Sequence, residues 1–268
     1  METSLKVAAI QMVSVRNWKT NLEIAQTLIK EASANGANLI VLPEFFIQIT
    51  DPDDPKRLDI AEELGAGAIQ IALAQIAKEC SIFLVAGTIL IKALNGKYYN
   101  TLIVYNQDGE QVAYYNKIHL FKYADETNQY DESLTFVSGS EVKTVDIFGF
   151  RIGLSICYDL RFPELYRKMG KLDLILLPSA FTYTTGKAHW QTLTVARAIE
   201  NQCYFMAVNQ GGLHETGRYT YGHSMIINPW GEIMSSCEEG TKIIYANLFK
   251  NKIQEIRAKI PALEHRIL

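Results

Sequence analysis

Short apolar runs with a two-residue period alternate along this chain with stretches of helical spacing, and neither kind grows long. That rhythm confines the fold to layers of helix on sheet. Residues 5–12 alternate as a strand (Leu5, Val7, Ala9), residues 21–34 carry helical spacing closed by Asn35-Gly36, and residues 38–42 form a short apolar strand stopped at Pro43. Helical spacing returns over 67–79 (Ile69, Ile71, Leu73, Ile76). The β-rich runs 82–91, 98–105 and 111–118 are separated by Asn95-Gly96 and Asp108-Gly109, a tight-hairpin signal. In the second half, 143–148 and 151–157 around Gly149 predict a strand pair, 160–169 a helix, 172–177 a buried strand and 188–200 a helix. Strands follow over 204–209, 224–228 (before the turn Pro229-Trp230-Gly231) and 241–248, then a basic C-terminal helix. The class is α/β, with helices outside sheets that contain antiparallel segments, rather than a simple doubly wound fold. No linker-like composition, repeat or low-complexity tract interrupts the 268 residues, so one domain over 1–268 is expected.

Charge and cysteine usage exclude several function classes. The formal net charge is −3 with no basic or acidic block, so neither nucleic acid nor an anionic membrane is an expected partner. No apolar stretch approaches the roughly 20 residues that span a bilayer, and the N-terminus runs straight into a strand pattern. A cytoplasmic location is expected. Cys80, Cys157, Cys203 and Cys237 are widely spaced, with no CxxC and no Cys/His cluster, which argues against a disulfide framework or a zinc site.

Three segments place a reactive group where a strand ends. In Val41-Leu42-Pro43-Glu44-Phe45-Phe46, two phenylalanines flank a carboxylate; losing water strengthens such a group as a base, although Glu44 alone could equally start a solvated loop. In Tyr115-Asn116-Lys117-Ile118-His119, Lys117 sits among aromatic and aliphatic neighbours as a fixed charge for an oxyanion, or as a snorkelling surface lysine. His119 is the tempting acid/base residue, equally well explained as a satisfied histidine near the core, and no catalytic role is assigned to it. The third segment, Arg151 through Glu164, runs a hydrophobic strand into Cys157 and then into a helical pattern. That strand-to-helix elbow exposes a nucleophile beside backbone N–H groups. The alternative is a buried structural cysteine; the charges of Asp159, Arg161 and Glu164 argue against a dry interior.

Glu44, Lys117 and Cys157 in this order, with Cys157 to Leu165, Thr185-Gly186-Lys187-Ala188-His189-Trp190, Ala196 to Gln202 and Tyr221-Gly222-His223-Ser224, resemble the nitrilase superfamily of C–N hydrolases and its Nit subgroup. The resemblance spans nearly the whole chain, with departures at Lys122 and Gln191. It implies an α-β-β-α sandwich that pairs with a second copy as αββα–αββα, so a homodimer or higher homo-oligomer, and a mechanism needing neither metal nor cofactor. It implies catalytic Glu44, Lys117 and Cys157, and a second carboxylate near the lysine, best matched by Glu132 with Glu126 as a rival. Tyr158, Arg161, His189 and Arg218 are the implied substrate-binding residues; Arg161 has a structural ion pair with Asp159 or Glu164 as its alternative. Arg197 and Glu200, three apart, read as a structural pair. The substrate implied is a small amide. Two branches compete: amidases of deaminated glutathione, which release α-ketoglutarate and cysteinylglycine, and ω-amidases of α-ketoglutaramate and α-ketosuccinamate. Gly212, His214, Arg218 and Thr220-Tyr221 resemble the glutathione-type loop, while Leu213 and Gly217 stand where basic residues are expected. A catalytically idle interaction module on the same fold is the reading from another class, and retention of all three triad residues speaks against it.

Overall fold

The first strand, β1 (Ser4–Gln11), shows how the layers arise. Its side chains Leu5, Val7 and Ala9 enter one apolar cluster, while Ala8 and Ile10 enter another, as the two-residue period of a strand requires. Both faces of the strand are therefore covered. The computed structural model describes residues 3–51, 53–124 and 129–267. In it β1 is followed by α1 (Trp18–Ala34), β2 (Leu39–Val41), α2 (Ala68–Cys80), β3 (Phe83–Lys92), β4 (Tyr98–Tyr105) and β5 (Gln111–Asn116). A short antiparallel pair, β6 (Lys122–Ala124) and β7 (Gln129–Asp131), precedes β8 (Lys143–Ile147), β9 (Phe150–Leu154), α3 (Pro163–Lys168), β10 (Leu174–Ser179) and α4 (Tyr183–Asn201). The chain ends with β11 (Tyr204–Asn209), β12 (Gly211–Leu213), β13 (Tyr219–Tyr221), β14 (Met225–Ile227), β15 (Ile233–Ser236), β16 (Lys242–Phe249) and α5 (Lys250–Lys259).

Two six-stranded sheets result, ordered β16-β1-β2-β3-β4-β5 and β15-β14-β11-β10-β9-β8. Each has a parallel centre, β1-β2-β3 or β9-β10-β11, with antiparallel strands outside it. Val7, Val41, Val85 and Val104 of the first sheet share a cluster with Ile152, Leu154, Leu176 and Phe205 of the second, the core between the sheets. Ala25 and Ile29 of α1 and Leu73 and Ile76 of α2 pack with Ile10, Ile40 and Leu84 on the outer face of the first sheet. Leu165 and Tyr166 of α3 and Trp190 and Ala198 of α4 join the second sheet. This is the expected α-β-β-α sandwich. Among the described residues no helix is long and apolar enough to cross a membrane.

The predicted helix over 160–169 is divided: a 3₁₀ turn, Cys157–Arg161, gives way to α3 only at Pro163. Proline bars its predecessor from helical geometry, and Phe162 is accordingly at φ −114°, ψ 88°. Strand β9 stops at Leu154, three residues before Cys157, and α4 begins earlier than its apolar spacing suggested. The pairs β6/β7 and β12/β13 were invisible to periodicity because three residues hold too little of a period.

A register shift between Ala86 and Ile89 bulges β3 toward the end of β2. There Thr88 Oγ1 accepts the Phe45 N–H at 2.8 Å, and a Cβ on Gly87 would lie 1.9 Å from the Pro43 carbonyl oxygen. The obstacle is backbone, so it cannot swing aside. Gly87→Ala should lower stability by about 1–3 kcal/mol, measured by urea denaturation, and should reduce activity with it, because the strain falls on the residue before Glu44.

Candidate active site

Proline ends β2, and Glu44 is the first side chain beyond it, 1% exposed. Phe45 takes a left-handed φ of 53°, turning the chain sharply enough to bury Glu44. The turn is held by Thr88 and by Gln210, whose Nε2 donates to the Glu44 carbonyl at 3.1 Å. Three donors meet the carboxylate. Oε1 accepts from Asn100 Nδ2 at 2.8 Å and Lys117 Nζ at 2.9 Å; Oε2 accepts from the Ala180 N–H at 2.8 Å.

Lys117 follows the end of β5 and is also 1% exposed. Its ammonium lies 2.9 Å from Glu44 Oε1 and 2.9 Å from Glu132 Oε2. Burial works against the charged form, but Glu132 and then Glu44 outweigh it, and Lys117 stays charged far above its ordinary range. Glu132 also accepts the Phe121 N–H at 2.8 Å. Burial raises its carboxyl above the usual range, opposed by Lys117 and reinforced by the charge of Glu44. Among the described residues Glu132 is the carboxylate that joins Glu44 at the lysine; its rival Glu126 lies outside the described residues.

Cys157 stands at the elbow between β9 and the 3₁₀ turn, 8% exposed, with a left-handed φ of 45°. Such backbone costs about 1–3 kcal/mol for a residue with a side chain. The Ala180 N–H that binds Glu44 Oε2 lies, like Glu44 and Cys157, on a residue lining one cavity. Burial pushes the thiol well above its ordinary range, with Glu44 adding to the rise and Lys117 opposing it. Cys157 therefore rests as a thiol. Burial likewise raises Cys203 to about 12 and Cys237 to about 11, and raises Cys80.

A cavity of about 20 Å³ opens on this cluster, lined by Glu44, Glu132, Cys157, Tyr158, Ala180 and Arg218 among others. Of the four residues expected to bind substrate, Tyr158 and Arg218 reach it. Arg218, on the connection from β12 to β13, donates from Nη2 to the Ala180 carbonyl at 3.1 Å and lies 5.8 Å over the Tyr130 ring. Its Nε is buried without a hydrogen-bond partner among the described residues. His214 braces that connection: Nδ1 meets the Ser14 carbonyl at 2.9 Å, so it carries the proton, and Nε2 meets Thr220 Oγ1 at 2.8 Å. Burial lowers His214 to about 4, leaving the ring neutral. Arg161 and His189 do not line the cavity. They meet each other at 3.3 Å, and the Arg161 guanidinium lies over the cavity-lining Phe181 ring at 5.5 Å, one layer removed. Arg197 and Glu200 pair at 2.9 Å, as read.

The charge of Asp159 is the clearest departure from the sequence reading. Far from marking a wet surrounding, Asp159 is 0% exposed. Four donors make that possible: Tyr115 OH at 2.8 Å, His119 N–H at 3.1 Å, His119 Nδ1 at 2.7 Å and the Ile156 N–H at 2.9 Å. Asp159 is thus committed elsewhere than to Arg161, and of the two readings of His119 the contacts fit the satisfied histidine, bound to Asp159 and stacked on Phe162 at 3.7 Å. Sequence reasoning also missed Asn100, Thr88, Gln210 and the Ala180 backbone. Asn100 had a signal, a polar side chain in the apolar strand β4; a backbone N–H has none.

Known proteins share this architecture. The family model described as carbon-nitrogen hydrolase matches residues 6–258. The deaminated glutathione amidase of Synechocystis is 39% identical over 268 residues, covering 97% of each chain. Human omega-amidase NIT2 is 36% identical over 270 residues, covering 98% of this chain and 95% of its own. Among solved structures, Saccharomyces cerevisiae Nit3, a member of branch 10 of the nitrilase superfamily, matches with a TM-score of 0.88 at 32% identity, covering 99% of this chain and 97% of its own. The chain belongs to the carbon–nitrogen hydrolase family, a hydrolase of C–N bonds other than peptide bonds.

Proposed function

We propose that the protein is a cytoplasmic, single-domain amidase in which Cys157 is the nucleophile, Glu44 the general base and acid, and Lys117 the oxyanion partner, with deaminated glutathione as substrate. The observation that carries the chemistry is the Lys117 ammonium at 2.9 Å from both Glu44 and Glu132, beside a thiol held protonated. A buried thiol needs a base at the moment of attack, and Glu44 is the carboxylate beside it. Oε1 already accepts two donors, so Oε2 is the atom that takes the proton. As sulfur bonds to the amide carbon, the carbonyl electrons move to oxygen, and Lys117 with the first N–H groups of the 3₁₀ turn faces the charge. The C–N bond then breaks, Glu44 returns its proton to the amine, and a thioester remains. Water attacks it with Glu44 again as base; sulfur leaves and recovers its proton, freeing the acid.

For the substrate, the supporting observation is Arg218 at the cavity wall with an Nε that has no partner among the described residues. A carboxylate of the substrate would satisfy it bidentately. Deaminated glutathione carries such groups on both sides of the scissile amide, and cysteinylglycine and α-ketoglutarate would be the products. Tyr158 lines the same wall, while Arg161 and His189 would act through Phe181 or at a second anionic group. An ω-amidase acting on α-ketoglutaramate is the second reading, favoured by the small cavity and by similarity to a relative of that name. No cofactor enters either scheme.

Three outcomes follow. Cys157→Ala should abolish amide hydrolysis in a folded protein, Glu44→Gln and Lys117→Met should each lose several orders of magnitude in kcat, and Cys203→Ala should change little; an active, folded Cys157→Ala protein would overturn the mechanism. In coupled detection of α-ketoglutarate, kcat/KM for deaminated glutathione should exceed that for α-ketoglutaramate, and Arg218→Ala should narrow the gap; preference for the small keto-amide would move the protein to the second reading. For assembly we propose a homodimer. The exposed face of α4, with Gln191, Val195 and Ile199 along a groove of about 450 Å³, is the surface to be covered. Light scattering at micromolar concentration should give a dimeric mass or a multiple of it, and a monomeric mass would count against the pairing.

A further inference from the structure

The nucleophile and the lysine come from different sheets, Cys157 from the end of β9 and Lys117 from the end of β5. Apolar packing between two sheets is non-directional and does not fix how one strand end stands against another. Some polar group must set that separation, because the oxyanion has to fit between sulfur and ammonium. Asp159 is placed to do it. It lies two residues beyond Cys157, and its Oδ2 accepts the Ile156 N–H at 2.9 Å, so it grips the residue just before the nucleophile. On the other side its two oxygens accept Tyr115 OH, His119 N–H and His119 Nδ1. Tyr115 and His119 are the residues two before and two after Lys117. One buried carboxylate therefore brackets the lysine and holds the elbow.

We propose that Asp159 is a positioning residue that sets the Cys157–Lys117 separation and so the place where the oxyanion forms; this rests on the roles given to those two residues above. All four of its acceptor positions face donors, which is why a carboxylate can lie at 0% exposure with no lysine or arginine paired to it among the described residues. Burial and then the charge of Asp159 push the Tyr115 phenol far above its ordinary range, so it remains a donor. An asparagine here would turn an NH₂ group toward donors and release one side of the bracket. The same bond to Ile156 opposes relaxation of the left-handed backbone at Cys157.

Two reactions of the same sulfur separate this role from a merely structural one. Amide hydrolysis passes through an oxyanion; alkylation of Cys157 by iodoacetamide does not. In folded Asp159→Asn, kcat should fall about a hundredfold with KM little changed, the scale of an ångström-sized misplacement, while the Cys157 alkylation rate stays near that of the unaltered protein. Tyr115→Phe and His119→Ala each release one strand of the bracket and should show smaller losses of kcat with alkylation again preserved, which tests the idea even where Asp159→Asn does not fold. Equal loss in both reactions, or hydrolysis at the unaltered rate in these variants, overturns the proposal. Cys157→Ala, assayed alongside, separates the two levels: if it is inactive while Asp159→Asn is fully active, only the positioning role falls, and if it is active, the catalytic reading falls first.

Discussion

Everything at this site turns on one ammonium held out of water between two carboxylates. Lys117 at 1% exposure would be intolerable alone, since an isolated buried charge loses several kcal/mol of hydration. Glu44 and Glu132, each at 2.9 Å, make it tolerable, and Lys117 in turn makes them tolerable. The cluster carries one excess negative charge. That excess explains the thiol beside it: ionising Cys157 as well would set three anions against one cation, so burial and Glu44 both keep the proton on sulfur.

The same arithmetic describes the reaction proposed for it. When Glu44 takes the thiol proton, it ceases to be a counter-ion, and the new negative charge appears on the amide oxygen. Lys117 exchanges one anionic partner for another without any change in the total charge of the pocket. Glu132 never leaves, so the lysine is not freed to follow Glu44. Preorganisation of this kind gains from low dielectric, where fixed charges act more strongly than in water. It also accounts for a site that is poor as a stabilising element, because buried ion clusters rarely exceed well-packed apolar side chains in stability.

The layers were legible because they depend on periodicity, and periodicity survives in any run long enough to hold it. β1, β3, β4 and the hairpin turns after Asn95 and Asp108 all stand where alternation and turn residues put them. The elbow was legible as a strand running into a polar segment with Cys157 between. What could not be read is whatever depends on meeting across the two sheets. Asp159 carries the same letter whether it is solvated or enclosed by four donors, and only the arrival of Tyr115 and His119 from another sheet decides between them. The Ala180 N–H was hidden for the same reason, since it comes from the second sheet and is defined by its distance to Glu44. Arg161 and His189 show the converse. The family resemblance put both at the substrate, but the 3₁₀ turn and Pro163 redirect the chain after Cys157 and leave Arg161, with His189 against it, a layer outside the cavity.

A division of labour between the two kinds of cohesion follows. The apolar core between the sheets supplies the free energy that keeps them together, yet its contacts tolerate sliding by fractions of an ångström at little loss. Hydrogen bonds weaken steeply with distance and angle, so a few of them at one end of the sandwich can remove that freedom locally. They are concentrated where the chemistry is: Ala180 N–H to Glu44, Gln210 to Ser14 and to the Glu44 carbonyl, Ser14 Oγ to the Phe46 carbonyl, and Asp159 to both Tyr115 and His119. All of these but the Ser14–Phe46 bond link the first sheet or its loops to the second. The sandwich is thus held by its middle and aligned by its end, and the aligned end is the one at which β2, β5, β9 and β10 deliver Glu44, Lys117, Cys157 and Ala180.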